Sequence, residues 1–129
     1  MNRYAGHYER LVGSARRGGA QIVLATFNMA VNAASPEQAI RFYEAIVPDV
    51  HARIVANRIH TEIVLDVGRR LGVRTLDTSV GLDGAYRDAY IDIAHFNQLG
   101  RERLAAHFLA GLREILATHP RSRCRPRAG

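Results

Sequence analysis

The chain has 129 residues, enough for one domain, and its 47% hydrophobic content is that of a folding protein rather than a disordered one. Its formal charge of +6 comes from arginine alone, and Arg121, Arg123, Arg125 and Arg127 stand together at the carboxyl end, leaving 14 basic residues against 12 acids before them. That near-balance argues against a nucleic-acid surface on the folded part, and the arginine-rich end reads as a solvated tail able to hold an anionic surface only loosely.

In chain order, a first helix is predicted from Tyr4 to Arg17, with Tyr4, Tyr8, Leu11, Val12 and Ala15 on one face and Gly18-Gly19 as its stop. Gln21 to Phe27 reads as a short buried strand around the apolar run Ile22-Val23-Leu24. A loop runs from Asn28 to Ser35. Ser35-Pro36-Glu37 then starts a second helix, with Ser35 as cap and Pro36 in the first position, and the helix reaches about Ala45 before Pro48. The longest helix is predicted from Val50 to Leu71, where Val55, Ile59, Ile63 and Val67 recur every four residues and Gly72 marks the end. Val73 to Leu76 forms a second short strand ending at Asp77. The stretch from Thr78 to Ala94, with Gly81 and Gly84, is mostly loop. A last helix from about Leu99 to Ala117 turns Leu104, Phe108, Leu112 and Ile115 inward, and Pro120 closes the domain.

This order of helices and strands belongs to an α/β protein with an open parallel sheet. Two parallel strands cannot cover both their faces and both their edges, so the sheet is expected to be incomplete at its amino end. Residues 1–118 are taken as one domain and 119–129 as a disordered tail. The single Cys124 lies in that tail, which excludes an internal disulfide and a cysteine metal site. No apolar run approaches a membrane span, Ile22 to Ala25 being among the longest clean stretches. The start Met1-Asn2-Arg3-Tyr4 is polar and is not a signal peptide, so the chain as written reads as cytoplasmic; a preceding segment carrying a signal would make it exported.

The chemistry concentrates at Asp92-Ile93-Ala94-His95-Phe96-Asn97-Gln98-Leu99-Gly100, just before the last helix. An acid three residues before a histidine can hold the imidazole in one tautomer, and the imidazole can take a proton from a nucleophile. The same residues also suit a plain capped helix start, with Asp92 a surface acid and His95 and Asn97 bonded to local backbone. Elsewhere, His51 and His60 lie nine apart, which is no spacing for a shared metal, and read as helix-surface histidines. Asp88 and Asp92 lack a third ligand, and no metal or other cofactor is expected. Tyr86 and Tyr90 flank the loop as cleft-lining or packing residues. Ser14 reads as a solvated helical serine, Ser79 as loop, Ser122 as tail, and Asn28 and Asn32 as turn formers.

The Asp-x-x-His string, followed by an Asn and a Gly, resembles the last conserved block of the SGNH/GDSL family of ester hydrolases. The order of elements is similar too. Gln21 to Phe27 looks like the family's fourth strand, Asn57 falls in a helix where the family commonly carries an Asn, and Leu71-Gly72-Val73 to Asp77 looks like its fifth strand. The resemblance implies a three-layer α/β/α SGNH (flavodoxin-like) fold, a serine acyl-enzyme and no metal. It makes His95 the base and acid and Asp92 its orienting partner. The family's Gly-Asp-Ser block, its oxyanion glycine and its Gly-x-Asn-Asp block are not found in this chain and are expected to precede Met1. The expectation is therefore the carboxyl-terminal portion of a hydrolase for small-molecule or lipid esters, inactive alone. The alternative is a non-catalytic domain acting in protein association, with a second copy covering an exposed sheet edge. A third possibility, nucleic-acid binding through the arginine tail, ranks below both.

Overall fold

A computed structural model describes residues 3–79, 82 and 84–118. The expected tail 119–129 with Ser122 and Cys124, the closing Pro120, the loop glycine Gly81 and the first residues Met1 and Asn2 lie outside the described residues. Four helices and two strands follow in the order α1 (Arg3–Arg17), β1 (Val23–Ala25), α2 (Glu37–Glu44), α3 (Val50–Leu71), β2 (Arg74–Leu76) and α4 (Gln98–Thr118). The chain is thus a mixed α/β protein with one parallel strand pair, and no described helix is long and apolar enough to cross a membrane.

The strands pair in parallel with Val23 opposite Arg74, Leu24 opposite Thr75 and Ala25 opposite Leu76. They are shorter than the apolar runs suggest. Past the ladder one more backbone bond forms, Thr26 N–H donating to the Leu76 carbonyl at 3.0 Å, and then side chains take over: Thr78 N–H donates to Thr26 Oγ1 at 2.9 Å, and Thr78 Oγ1 donates to the Thr26 carbonyl at 2.8 Å. These bonds satisfy backbone groups that the short ladder leaves over, and they fix the carboxyl ends of both strands side by side.

Two glycines decide how close the helices come. A Cβ at Gly68 of α3 would strike the Thr75 methyl, and one at Gly111 of α4 would strike Leu76 Cδ2. Thr75 and Leu76 are consecutive in β2, so their side chains leave the strand on opposite faces. Helices α3 and α4 therefore lie on opposite faces of β2. Gly72 ends α3 in the left-handed conformation at φ +59°, where its N–H and that of Val73 reach back to the Arg69 and Gly68 carbonyls. The Arg16 guanidinium of α1 donates to the Leu71 carbonyl at 2.7 Å and ties the two helix ends together.

The core has two parts joined by α3. Ala5 and Val12 of α1 meet Leu24, Val64, Val67 and Val73 beside the sheet. Ala39 and Tyr43 of α2 meet Val50 and Ile54 at the start of α3, together with Val31, Ala89 and Ile93 from the long connections. The fourfold stripe expected on α3 is corrected here. Val64 and Val67 are fully buried, but Val55 and Ile59 are exposed, because α1 covers only the later turns and α2 only the first. Leu11 on α1 and Leu112 on α4 are also exposed instead of inward. Ser35 does not cap α2: its Oγ accepts from Asn32 N–H at 2.9 Å, and Pro36 holds the cap position without a side-chain bond.

Candidate functional site

The segment after the long connection closes on itself before α4 begins. Tyr90 and Phe96 form an antiparallel bridge, and Ile91 N–H donates to the His95 carbonyl at 2.8 Å, so residues 91–95 make a tight loop. Inside it Asp92 Oδ1 accepts from the Ala94 and His95 backbone N–H groups, each at 2.8 Å. His95 Nδ1 lies 2.8 Å from Asp92 Oδ2 and 3.0 Å from Oδ1. The carboxylate is held below its ordinary value by the Ala94 N–H first, then by the His95 ring and backbone N–H. An ionised carboxylate can only accept, so the neutral imidazole carries its proton on Nδ1 and its lone pair on Nε2. The His95 side chain is 77% exposed, and among the described residues no group bonds Nε2. The two residues singled out from the sequence are therefore in contact, with an open approach to the basic nitrogen.

The residues around the pair explain the rest of the string. Asn97 Oδ1 accepts from Gly100 N–H at 3.0 Å, the bond of a helix cap, while its Nδ2 donates to the Asp88 carbonyl at 2.6 Å. Gly100 is buried where a Cβ would be driven into the Ala89 carbonyl oxygen and crowd the Phe96 ring, so a glycine lets α4 begin directly against the loop. Beneath, Tyr90 packs on Phe96 with ring centroids 4.8 Å apart. Buried Asn28 donates from Nδ2 to the Tyr90 hydroxyl at 3.0 Å, and Ala30 N–H donates to the Ile93 carbonyl. Asn28 is thus a buried tie between the end of β1 and the Asp92 loop instead of a turn former. Asn32 does form the expected turn, accepting from Ala34 N–H at 2.8 Å. Tyr90 is packing, and Tyr86 offers its carbonyl to the Tyr43 hydroxyl at 2.8 Å. Burial raises the Tyr43 hydroxyl, and the Asp92 charge raises it further.

The other candidates scatter. Ser14 is exposed on α1, Ser79 donates to Asp77 Oδ1 from both its N–H and its hydroxyl, and His51 pairs with Glu44 at 2.7 Å. Among the described residues no hydroxyl or thiol bonds His95, and no three His, Cys, Asp or Glu side chains gather as a metal site would require.

Sequence reasoning missed a second histidine environment. His60 is not a solvated helix-surface residue: its Nε2 lies 3.1 Å from the Tyr8 hydroxyl, across the α1–α3 contact. Burial lowers the His60 ring below its ordinary value, while burial and then Tyr4 push the Tyr8 hydroxyl up to about 12. Among the described residues, none bonds the buried His60 Nδ1 or the buried Asn57 Oδ1. This wall borders a cavity of about 630 Å³ at the carboxyl end of β1, reaching Ile93 and Ala94, the residues between Asp92 and His95. The four-residue spacing already placed the Tyr4 and Tyr8 rings on one helix face, but no local signal showed that His60, 52 residues from Tyr8, would meet them.

No protein-family model, no curated protein and no solved structure matches this chain.

Proposed function

We propose that Asp92 and His95 are the acid–base half of a serine ester hydrolase of SGNH/GDSL type, and that residues 1–118 are the carboxyl-terminal part of a three-layer α/β/α domain. The observation that carries this reading is the Asp92–His95 contact, with Nδ1 on an ionised carboxylate and Nε2 open to solvent. Helices on opposite faces of β2 are what a three-layer arrangement requires, and a parallel pair of three-residue strands leaves edges for further strands.

In this scheme a serine from a Gly-Asp-Ser block on a further segment loses its proton to His95 Nε2 as its oxygen attacks the ester carbonyl. Asp92 keeps the ring aligned and stabilises the imidazolium, without itself taking the proton. The imidazolium then protonates the departing alcohol, and a water deprotonated by the same nitrogen releases the acid. The substrate is a small-molecule or lipid ester, and no metal takes part. Nucleophile and oxyanion donors act as one unit with the base, so the 129-residue chain is expected to turn over no ester beyond the rate of free imidazole.

The test begins with the DNA upstream of Met1, where the reading requires in-frame Gly-Asp-Ser and Gly-x-Asn-Asp blocks. The longer product should hydrolyse 4-nitrophenyl acetate and lose about a thousandfold of that activity in His95→Ala. Stop codons without such blocks, or full activity in His95→Ala, overturn it.

A second reading, a non-catalytic domain acting in association, is favoured by one observation. Helix α4 buries only Gly100 and Ile115, while Leu109, Leu112 and Leu116 share an exposed face. Sedimentation of the 129-residue chain separates the two: a dimer dispersed by Leu112→Glu supports association, and a monomer at all concentrations removes it.

A further inference from the structure

The cavity beside α1 belongs to neither reading, and its walls are unlike those of the Asp92 loop. Its volume of about 630 Å³ lies within the range of roughly 300 to 1,000 Å³ in which proteins hold small molecules. Four rings border it at angles to one another. Tyr4 and Tyr8 meet edge to face at 5.4 Å and 79°, and Phe27 meets His60 edge to face at 6.5 Å and 88°. Tyr4 is 45% exposed and Phe27 47%, a large aromatic area to leave open in a concave place.

The charge of the cavity is one-sided. Among the described residues that line it Arg53 is the only ionised side chain, and no Asp or Glu is among them. Burial keeps the His60 ring toward its neutral form and Tyr8 a phenol, so neither adds charge near neutral pH. The Arg53 stem is anchored by Nε donating to the Pro48 carbonyl at 3.3 Å, and its two terminal nitrogens have no protein partner among the described residues. Arginine presents those nitrogens as a planar fork suited to a carboxylate.

We infer that this cavity binds a small aromatic carboxylate, its ring among Tyr4, Tyr8, Phe27 and His60 and its carboxylate on Arg53. A planar ring gains edge-to-face contacts from walls set at these angles, which a saturated ring of similar size does not. The site lies at the carboxyl end of a parallel strand, where ligands of open α/β sheets commonly bind. It does not depend on ester hydrolysis: a chain without any esterase activity would still hold the ligand.

The experiment is an NMR titration of the full 129-residue chain with phenylacetate, its uncharged amide phenylacetamide, and cyclohexylacetate. Phenylacetate should bind saturably and shift Tyr8, Phe27 and Ala94 signals. The amide and the saturated acid should each bind about tenfold more weakly, the effect of one lost charge-assisted bond or ring contact. Arg53→Gln should bring phenylacetate down to the level of the amide, and Phe27→Leu should abolish its preference over cyclohexylacetate. Arg113→Gln, on α4, should change nothing. Phe27 and Arg53 are both exposed, so neither substitution threatens the fold. Absence of saturable binding overturns the inference, as does equal binding of acid and amide or binding that survives both substitutions.

Discussion

His95 holds Nδ1 against a carboxylate three residues away and leaves 77% of its side chain in solvent; His60 holds Nε2 against a phenol on another helix, with its Nδ1 buried and unpartnered among the described residues. One pair is built by a five-residue loop and the other by the packing of α1 on α3. The local pair keeps a fixed carboxylate next to an accessible nitrogen, the arrangement on which the proposed proton transfer rests. The distant pair sits in an aromatic wall that burial keeps toward its uncharged forms, the arrangement on which the inferred ligand site rests. Two rings of the same kind thus sit in opposite environments, set by how much water and charge reaches them.

The largest separation of the two regions should come from Gly100→Ala. The added Cβ meets the Ala89 carbonyl, so α4 must shift away from the Asp92 loop. We expect a loss of about 2 kcal/mol in urea unfolding, with amide shifts concentrated at residues 89–101 and little change at Tyr8 and His60. Equal disturbance of both regions would show that they are one mechanical unit.

Asp92→Asn acts on the local pair and leaves the distant pair unchanged. The amide oxygen still accepts the two backbone N–H groups, but an NH₂ then faces His95 Nδ1 and should drive the ring to the Nε2–H tautomer. Nitrogen-15 shifts of the imidazole report this directly, and the accompanying loss of stability should be about 1 kcal/mol. A ring that keeps its proton on Nδ1 would mean that Asp92 does not set the tautomer.

The smallest effect belongs to the distant pair and appears with pH. The folded-state value of His60 lies below the ordinary 6.5, so the unfolded chain takes up its proton first. Stability should therefore fall as pH drops below 6.5 and level off once the folded ring is protonated too. Comparing urea midpoints at about pH 7.5 and about pH 5.5, for the native chain and for His60→Gln, isolates the contribution. A slope that the substitution leaves unaltered would assign it to other groups. Asp92 acts at lower pH: its lowered carboxyl lends stability above the ordinary 3.8 that is lost as pH falls through the folded value, and its half-exposed position keeps that contribution small.

How far the sequence could be read follows from the range of each interaction. The helix limits at Gly18-Gly19 and Gly72, and the Asp92–His95 contact, depend on residues within one turn of each other, and each was legible. The cap at Asn97 was legible as well, since its Oδ1 accepts from Gly100 only three residues on, but the Asn97 bond to Asp88 and the close approach of Gly100 to Ala89 run across a closed loop. The exposure of Val55 and Ile59 was not legible, since periodicity tells which residues share a face but not which neighbour covers it. Asn28 looked like a turn former because its partner, Tyr90, lies 62 residues away.

The amino-acid order by itself determined the alternation of helices and strands and the placing of an acid within reach of a histidine, because both arise from hydrogen bonds and side-chain spacing over a few residues. Only the tertiary structure decided that α3 and α4 take opposite faces of β2, that His60 meets Tyr8, and that four rings and one guanidinium border a common cavity. Those outcomes depend on which surfaces exclude water together, and that is a property of segments brought close in space from far apart along the chain.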